Sequence, residues 1–313
     1  MDFFSSEIST VINQKITHPL LDEAGIKLDI KREDQIHAYV SGNKFRKLKY
    51  NLREAQANGY KTILTFGGAY SNHIAATAAA GKLMGFKTIG VIRGEELAND
   101  LPRVLSENDT LQFATDHCMQ LKFVSREDYR EKTSTSFLKK LTKEFGSFYV
   151  VPEGGTNELA VKGCEEILIS SDDQYDYLCC AVGTGGTIAG IINRSSDHQK
   201  VIGFPALKGD FLNAEINKYT NKENWSLNTE YHFGGYGKIN TVLIEFMNRF
   251  KEEQYITLDP IYTAKMIYGI FDKIQKGDFT KNTRILAVHT GGLQGIAGMN
   301  KKLSKKKIPL IRI

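Results

Sequence analysis

Four glycine-rich turns carry the side chains that could do chemistry: SGNK at 41–44, GGAYSNH at 67–73, GTGGT at 183–187 and HTGG at 289–292. Lys44 follows a Gly-Asn turn and falls in the first turn of a helix, where the positive dipole end opposes an ammonium and lowers its pKa. A lysine so placed suits Schiff-base chemistry. The competing reading is a solvated basic patch, since Arg46, Lys47 and Lys49 follow directly. In GGAYSNH, Ser71 and Asn72 are good helix N-caps, and the same geometry offers hydroxyl, amide and backbone N–H donors to a substrate carboxylate. His73 reads first as a satisfied, partly buried histidine.

In GTGGT the glycines let the backbone approach a ligand while the next helix directs free N–H groups at it, which suits a phosphate; an ordinary strand-to-helix turn would look alike. A dinucleotide fingerprint would need glycine where Ile188 stands, and no GxxxxGK[ST] occurs. Seven histidines and four cysteines show no HExxH or paired-ligand spacing, so no metal is expected.

The elements that must position these turns alternate. An apolar run at 26–30 leads through KREDQIHAYVSGNK into a helix whose Phe45, Leu48, Leu52 and Ala55 share a face, up to Asn58-Gly59. Strand 62–66, an Ala-rich helix from 73 to 84 and strand 87–92 make a βαβ unit. After a polar connection at 94–117 come strand MQLKFV, a helix ending near Gly146 and strand FYVV. A second series follows: a helix from 158 to 170, strand YLCCAV, the GTGGT loop, another helix and strand VIGFPAL. Such alternation predicts parallel sheets with ligands beyond their carboxyl ends, where the glycine turns fall. Residues 208–228, which hold the only tryptophan, Trp225, receive no assignment.

With 313 residues, 41% hydrophobic and 25% charged, the chain has an ordinary globular composition and a length that favours two lobes with a cleft. Its net charge of +5 is spread along the sequence, so no nucleic-acid partner is expected and an anionic cofactor suffices. The cysteines form no CxxC pair or disulfide framework, the N-terminus lacks a signal-peptide pattern, and no apolar run approaches the ~18 residues of a membrane span; a cytoplasmic location is expected. The stretch KKLSKKK at 301–307 reads as a solvated last helix.

Taken in order, KREDQ…SGNKFRKLKY, GGAYSNHIAATAAAGKLMG, GTGGTIAG, GGYG, LDPIYTAKM and HTGG resemble the fold-type II pyridoxal-phosphate enzymes, specifically the group of 1-aminocyclopropane-1-carboxylate deaminase and D-cysteine desulfhydrase. The resemblance spans nearly the whole chain. It implies a two-lobed α/β fold like the tryptophan synthase β subunit, each lobe a mostly parallel sheet flanked by helices. A large cofactor-binding domain would comprise 1–47 and 158–313, and a small domain 48–157. It implies pyridoxal 5′-phosphate as cofactor, a small amino-acid substrate and a homodimer. Lys44 would be the imine-forming lysine, and Ser71, Asn72 and His73 would hold the substrate carboxylate and nearby cofactor atoms. Gly183, Thr184, Gly185, Gly186 and Thr187 would form the phosphate loop, Tyr236 and Tyr262 would stand near the substrate, and Thr290 would lie beside the pyridine nitrogen.

Two positions depart from the deaminase. Thr263 stands where the deaminase has a glutamate, and Thr290 where it has a leucine; both resemble the desulfhydrase. A carboxylate beside the ring nitrogen strengthens the electron sink, a hydroxyl far less. The expectation is therefore β-elimination to pyruvate and ammonia, with ring-opening deamination to 2-oxobutyrate, or a catalytically weak cofactor-binding protein, as alternatives.

Overall fold

The computed structural model describes residues 3–6 and 10–313. Its strands run in chain order as β1 (Asn13–Lys15), β2 (Lys27–Lys31), β3 (Thr62–Gly68), β4 (Lys87–Arg93), β5 (Met119–Val124), β6 (Tyr149–Val151), β7 (Tyr177–Val182), β8 (Lys200–Pro205), β9 (Trp225–Leu227) and β10 (Arg284–Val288). They form two sheets, one of order β1-β2-β10-β7-β8-β9 and one of order β5-β4-β3-β6. Among the described residues only β1 pairs antiparallel, with β2, and every other pairing is parallel. The two-sheet α/β architecture is the one expected. Central strands such as β7 and β10 are continuous buried apolar runs, as a sheet covered on both faces requires.

Parallel register brings the functional turns to one edge. In β10, Val288 lies opposite both Lys31 of β2 and Cys180 of β7, so the KRED, GTGGT and HTGG segments leave the large sheet side by side. The GGAYSN turn leaves the small sheet at the end of β3.

Three helices set how these turns meet. Helices Asn43–Ala57 and Gly186–Arg194 both pack against helix Glu158–Glu165. A Cβ on Gly163 would lie 2.0 Å from the Arg46 carbonyl oxygen, and one on Gly190 would lie 2.6 Å from that of Val161. Backbone-to-backbone contact therefore fixes both neighbours, and their N-termini converge. Helix Asn43–Ala57 is also anchored by charge: Arg46 makes a bidentate pair with the fully buried Glu33, at 3.0 and 2.9 Å. On its other side Phe45, Leu48, Leu52 and Ala55 join the core of the small sheet, so this helix is shared and runs unbroken past residue 47.

Two segments differ from the sequence reading, and one that it left unassigned is ordered. The connection at 94–117 is helical, with a 3-10 turn at Glu95–Asp100 and helices Leu101–Glu107 and Asp109–Asp116. Its polar residues are caps: Asn108 Oδ1 accepts from the N–H groups of Thr110 and Leu111 at 3.1 and 3.0 Å. The helix from Glu158 ends at Glu165, short of 170, and a 3-10 turn, Ser170–Gln174, precedes β7. Residues 208–228 supply helix Phe211–Asn217 and the edge strand β9. The last helix, Gly295–Lys305, buries Ile296, Met299 and Leu303 and carries Lys302 and Lys305 in its final turn.

Because Gly163 has no room for a methyl group, Gly163→Ala should lower unfolding stability by about 1–3 kcal/mol, through displacement of the two helices. Chemical denaturation of the variant at wild-type midpoint and slope would contradict this account of the packing.

Candidate active site

The convergent turns enclose a cavity of about 420 Å³ lined from both sheets, with Lys44, Ser71, Thr184, Tyr236, Tyr262 and Thr290 in its wall. The SGNK and HTGG turns are docked on each other. Gly42 has φ +62°, and a Cβ there would sit 1.9 Å from the Thr290 carbonyl oxygen, which accepts the Asn43 N–H at 3.2 Å. No other residue type fits that contact.

Lys44 falls in the first turn of its helix, as expected. Its amine is pushed down to about 7, first by burial and then by the charge of Lys47; the environment outweighs the helix end as the cause. Nζ donates to Asn43 Oδ1 at 3.0 Å, and Asn43 Nδ2 in turn donates to Thr187 Oγ1 at 2.7 Å, tying the lysine to the GTGGT loop. In that loop Gly185 has φ +85° and caps helix Gly186–Arg194, whose free N–H groups face the cavity.

The competing reading of a solvated basic patch fails at Lys47, which is buried. It is 2% exposed, and Nζ donates to Thr156 Oγ1 (2.9 Å), the Gly154 carbonyl (3.1 Å) and Thr184 Oγ1 (3.4 Å). All three acceptors are neutral. Burial lowers its pKa as well. Sequence reasoning also missed Asn43 and the PEGGTN segment that supplies Gly154 and Thr156. The available signal was that PEGGTN is another glycine turn at a strand's carboxyl end.

Ser71 caps helix Asn72–Leu83, its Oγ accepting the Ile74 N–H at 3.4 Å. Asn72 lines the cavity, and its buried Oδ1 has no hydrogen-bond partner. His73 lines the cavity too, with its ring bonded to the small sheet. Its Nε2–H donates to Thr65 Oγ1 at 2.8 Å, which donates onward to the Val151 carbonyl at 2.8 Å. Burial, with the charges of Lys44 and Lys47, holds the ring neutral, well below the usual histidine range. The imidazole is therefore a neutral ring at the cavity wall, tied to β3 through Thr65.

Tyr236 and Tyr262 meet across the cavity wall, their rings T-shaped at 6.1 Å and 66°. Tyr262 packs over Gly183, where a Cβ would come within 3.1 Å of its ring. Burial raises both hydroxyls, that of Tyr262 well above the ordinary range, so both stay protonated donors. Asp259 places Tyr262: its carboxylate accepts the N–H groups of Ile261 (2.9 Å), Tyr262 (3.2 Å) and Thr263 (2.8 Å). Thr263 belongs to this cap. It is fully buried, accepts the Asp259 N–H at 2.9 Å and donates to Asp259 Oδ2 at 3.1 Å, so it is not among the cavity-lining residues. Thr290, by contrast, lines the cavity. The two threonines that the sequence argument paired therefore lie in different surroundings.

These residues fit a phosphorylated aldehyde. Lys44 is a buried amine with near-neutral pKa, Lys47 is a buried cation whose acceptors are all neutral, and a helix N-terminus and an unpartnered Asn72 oxygen face the same space. Among the described residues no cluster of His, Cys, Asp or Glu could hold a metal, and no helix is long and apolar enough to cross a membrane.

A family model for pyridoxal-phosphate dependent enzymes matches residues 15–291, and the chain belongs to that family; its cofactor is pyridoxal 5′-phosphate and it is an enzyme of the lyase and deaminase type. Within the family it falls in the group of 1-aminocyclopropane-1-carboxylate deaminases and D-cysteine desulfhydrases. It is 31% identical to a Thermotoga maritima protein named "Putative 1-aminocyclopropane-1-carboxylate deaminase", over 91% of this chain and 94% of that one. It is 30% identical to the bifunctional D-cysteine desulfhydrase/1-aminocyclopropane-1-carboxylate deaminase of Arabidopsis thaliana, over 87% of this chain and 74% of that one. A solved structure of an ACC deaminase homologue superposes with a TM-score of 0.78 at 26% identity, covering 96% of this chain and 95% of the other.

The cofactor-free protein should show an amine at position 44 that reacts with an acylating reagent with a pH midpoint of about 7. In Lys47→Met a repelling charge is gone, so the Lys44 pKa rises and the midpoint moves upward. Site-resolved mass spectrometry reads both, and a midpoint unmoved by the substitution would remove Lys47 as a cause.

Proposed function

We propose that this enzyme converts a small amino acid to a 2-oxo acid and ammonia, and that 1-aminocyclopropane-1-carboxylate, yielding 2-oxobutyrate, is its substrate. The observation that carries the reading is the pair of protonated tyrosine hydroxyls, Tyr236 and Tyr262, facing the cavity that also holds a near-neutral amine. Near-full-length similarity to relatives named for this reaction supports it.

Pyridoxal phosphate, when bound, draws electron density from the bonds at the substrate's Cα. Lys44 holds the cofactor and then moves a proton at the substrate carbon, for which a pKa near 7 is matched to neutral pH. Lys47 and the backbone of Gly183, Thr184, Gly185, Gly186 and Thr187 would hold the phosphate, and Asn43 keeps Thr187 and Lys44 in register. Ser71, Asn72 and the helix N-terminus would orient the α-carboxylate, with the neutral His73 ring beside them in the cavity wall. Tyr236 and Tyr262 hold or deliver a proton on the opposite side. Thr290, in the cavity wall, would lie beside the ring nitrogen. Pairing into a homodimer is part of the same reading.

One observation favours a second substrate. Thr290 presents a neutral hydroxyl in the cavity wall and would be the partner of the ring nitrogen, while the Asp259 carboxylate is spent on backbone N–H groups. A neutral partner suits loss of thiolate from D-cysteine, with pyruvate, ammonia and sulfide as products, more than opening of a ring.

Purified holoenzyme offered 1-aminocyclopropane-1-carboxylate, D-cysteine, L-cysteine and D-serine should release 2-oxobutyrate from the first. Pyruvate and sulfide from D-cysteine with no 2-oxobutyrate would replace the leading reading by the second, and no product from any would leave a cofactor-binding protein without this activity. On the accepted substrate, Lys44→Ala should lose activity by roughly a thousandfold or more, and Tyr262→Phe by on the order of a hundredfold in kcat.

A further inference from the structure

Helix Thr263–Gln275 buries an apolar face of Ala264, Met266, Ile267, Ile270 and Ile274, with one cation among them. Lys265 is 1% exposed, and its ammonium donates to two backbone carbonyls, those of His232 at 2.9 Å and Gly235 at 3.0 Å. An ammonium sunk in an apolar core and met by neutral oxygens is costly, and burial pushes its pKa down to about 8. A leucine or methionine would fill the same space without that cost. Packing therefore does not account for a lysine here.

What the lysine holds is a segment that regular structure cannot hold. Phe233, Gly234, Gly235 and Gly237 all have positive φ, from +52° to +113°, in the loop between β9 and the next helix. Its own hydrogen bonds are few: Gly235 N–H to the His232 carbonyl, Lys238 N–H to the Gly235 carbonyl, and Gly234 N–H to the His232 ring. Lys265 adds a charge-assisted donor to each of those same two carbonyls from outside the loop. The residue after Gly235 is Tyr236, half exposed, its ring against Tyr262. Tyr262 in turn sits three residues before Lys265, at the start of the same helix. A single turn of helix thus supplies one tyrosine and the clamp on the other.

We propose that Lys265 is a positioning residue for Tyr236, fixing the 232–237 loop through its two carbonyls so that the Tyr236 hydroxyl stands beside Tyr262 at the cavity. The inference deepens the reading of Tyr236 as a proton-handling group and rests on it for its kinetic consequence, while the ordering of the loop stands by itself.

Two measurements on holoenzyme test it. Hydrogen exchange, run without substrate, should show the amides of 233–238 exchanging about tenfold or more faster in Lys265→Met, with β7, β8 and β10 unchanged; Lys265→Gln, which keeps a neutral donor, should fall between. Steady-state kinetics on the accepted substrate should show kcat lower by about tenfold in Lys265→Met with KM changed less than about threefold, and little further loss when Lys265→Met is added to Tyr236→Phe. A purely structural lysine would give the same fold loss on both backgrounds. Equal losses on both backgrounds, or loop exchange unchanged in both lysine variants, overturns the proposal. If no substrate is turned over, the functional reading fails and the exchange experiment still decides whether Lys265 orders the loop.

Discussion

The cavity depends on how closely helix Glu158–Glu165 lets its two neighbours approach. At Gly163 and Gly190 there is no side chain between backbones, so helices Asn43–Ala57 and Gly186–Arg194 stand at one fixed distance with their N-termini in the same space. Larger residues would push each helix outward and carry Lys44 and the GTGGT loop apart, and the Asn43–Thr187 hydrogen bond at 2.7 Å would be lost first. The Glu33–Arg46 pair fixes the remaining degree of freedom, rotation and sliding of the lysine helix, because a bidentate contact is directional. Packing sets the distance, and charge sets the register.

The same helix shows how charge is divided between framework and site. Arg46 is matched to Glu33, and Lys49 to Glu166 at 2.7 Å, whereas Lys44 and Lys47 bond only to neutral oxygens. A buried cation paired to a carboxylate is neutralised and gives nothing further to a ligand. A buried amine facing neutral groups has a depressed pKa and keeps its affinity for an anion, which is what reaction with an aldehyde and retention of a phosphate respectively require. Four basic residues within six positions thus have opposite assignments, decided by which carboxylates lie across from them.

That division explains what the sequence could and could not disclose. Apolar runs, helical patterns, glycine stops and the βα alternation located β2 to β8 and the long helices among them, because each is a local consequence of burial, whereas β1, β9, β10 and the helices Thr241–Gln254 and Thr263–Gln275 were not placed. Lys44 was legible from its turn, its helix and the company of the other glycine turns. Lys47 was not, since nothing within the helix distinguishes it from Lys49; the difference lies about a hundred residues away, in Gly154 and Thr156 versus Glu166. The helices at 101–116 were hidden by their caps, because Asp, Asn and Pro at a helix start read as loop residues when the apolar face is short. Thr263 misled for a related reason: its neighbour Tyr262 lines the cavity, but one step along a helix start turns the next side chain into the Asp259 cap.

The two sides of the cavity are held by different means. On the small-sheet side the GGAYSN turn leads directly into a regular helix, so Ser71 caps it and a single buried amide, Asn108 Nδ2, donates to the Ala69 carbonyl at 3.0 Å. On the large-sheet side the segments at 232–237, 257–262 and 289–292 are irregular, and their peptide groups cannot all pair with one another. Buried polar side chains take up the remainder: Asp259 accepts three N–H groups, Lys265 donates to two carbonyls, and His289 donates from Nε2 to the Thr257 carbonyl at 2.8 Å while Nδ1 accepts the Gly291 N–H at 3.2 Å. In an apolar core such groups would be liabilities. Here each is satisfied by backbone, and each fixes a turn bearing one of Tyr236, Tyr262 or Thr290. The irregular backbone that lets these three residues face the cavity is therefore the reason that Asp259, Lys265 and His289 are buried.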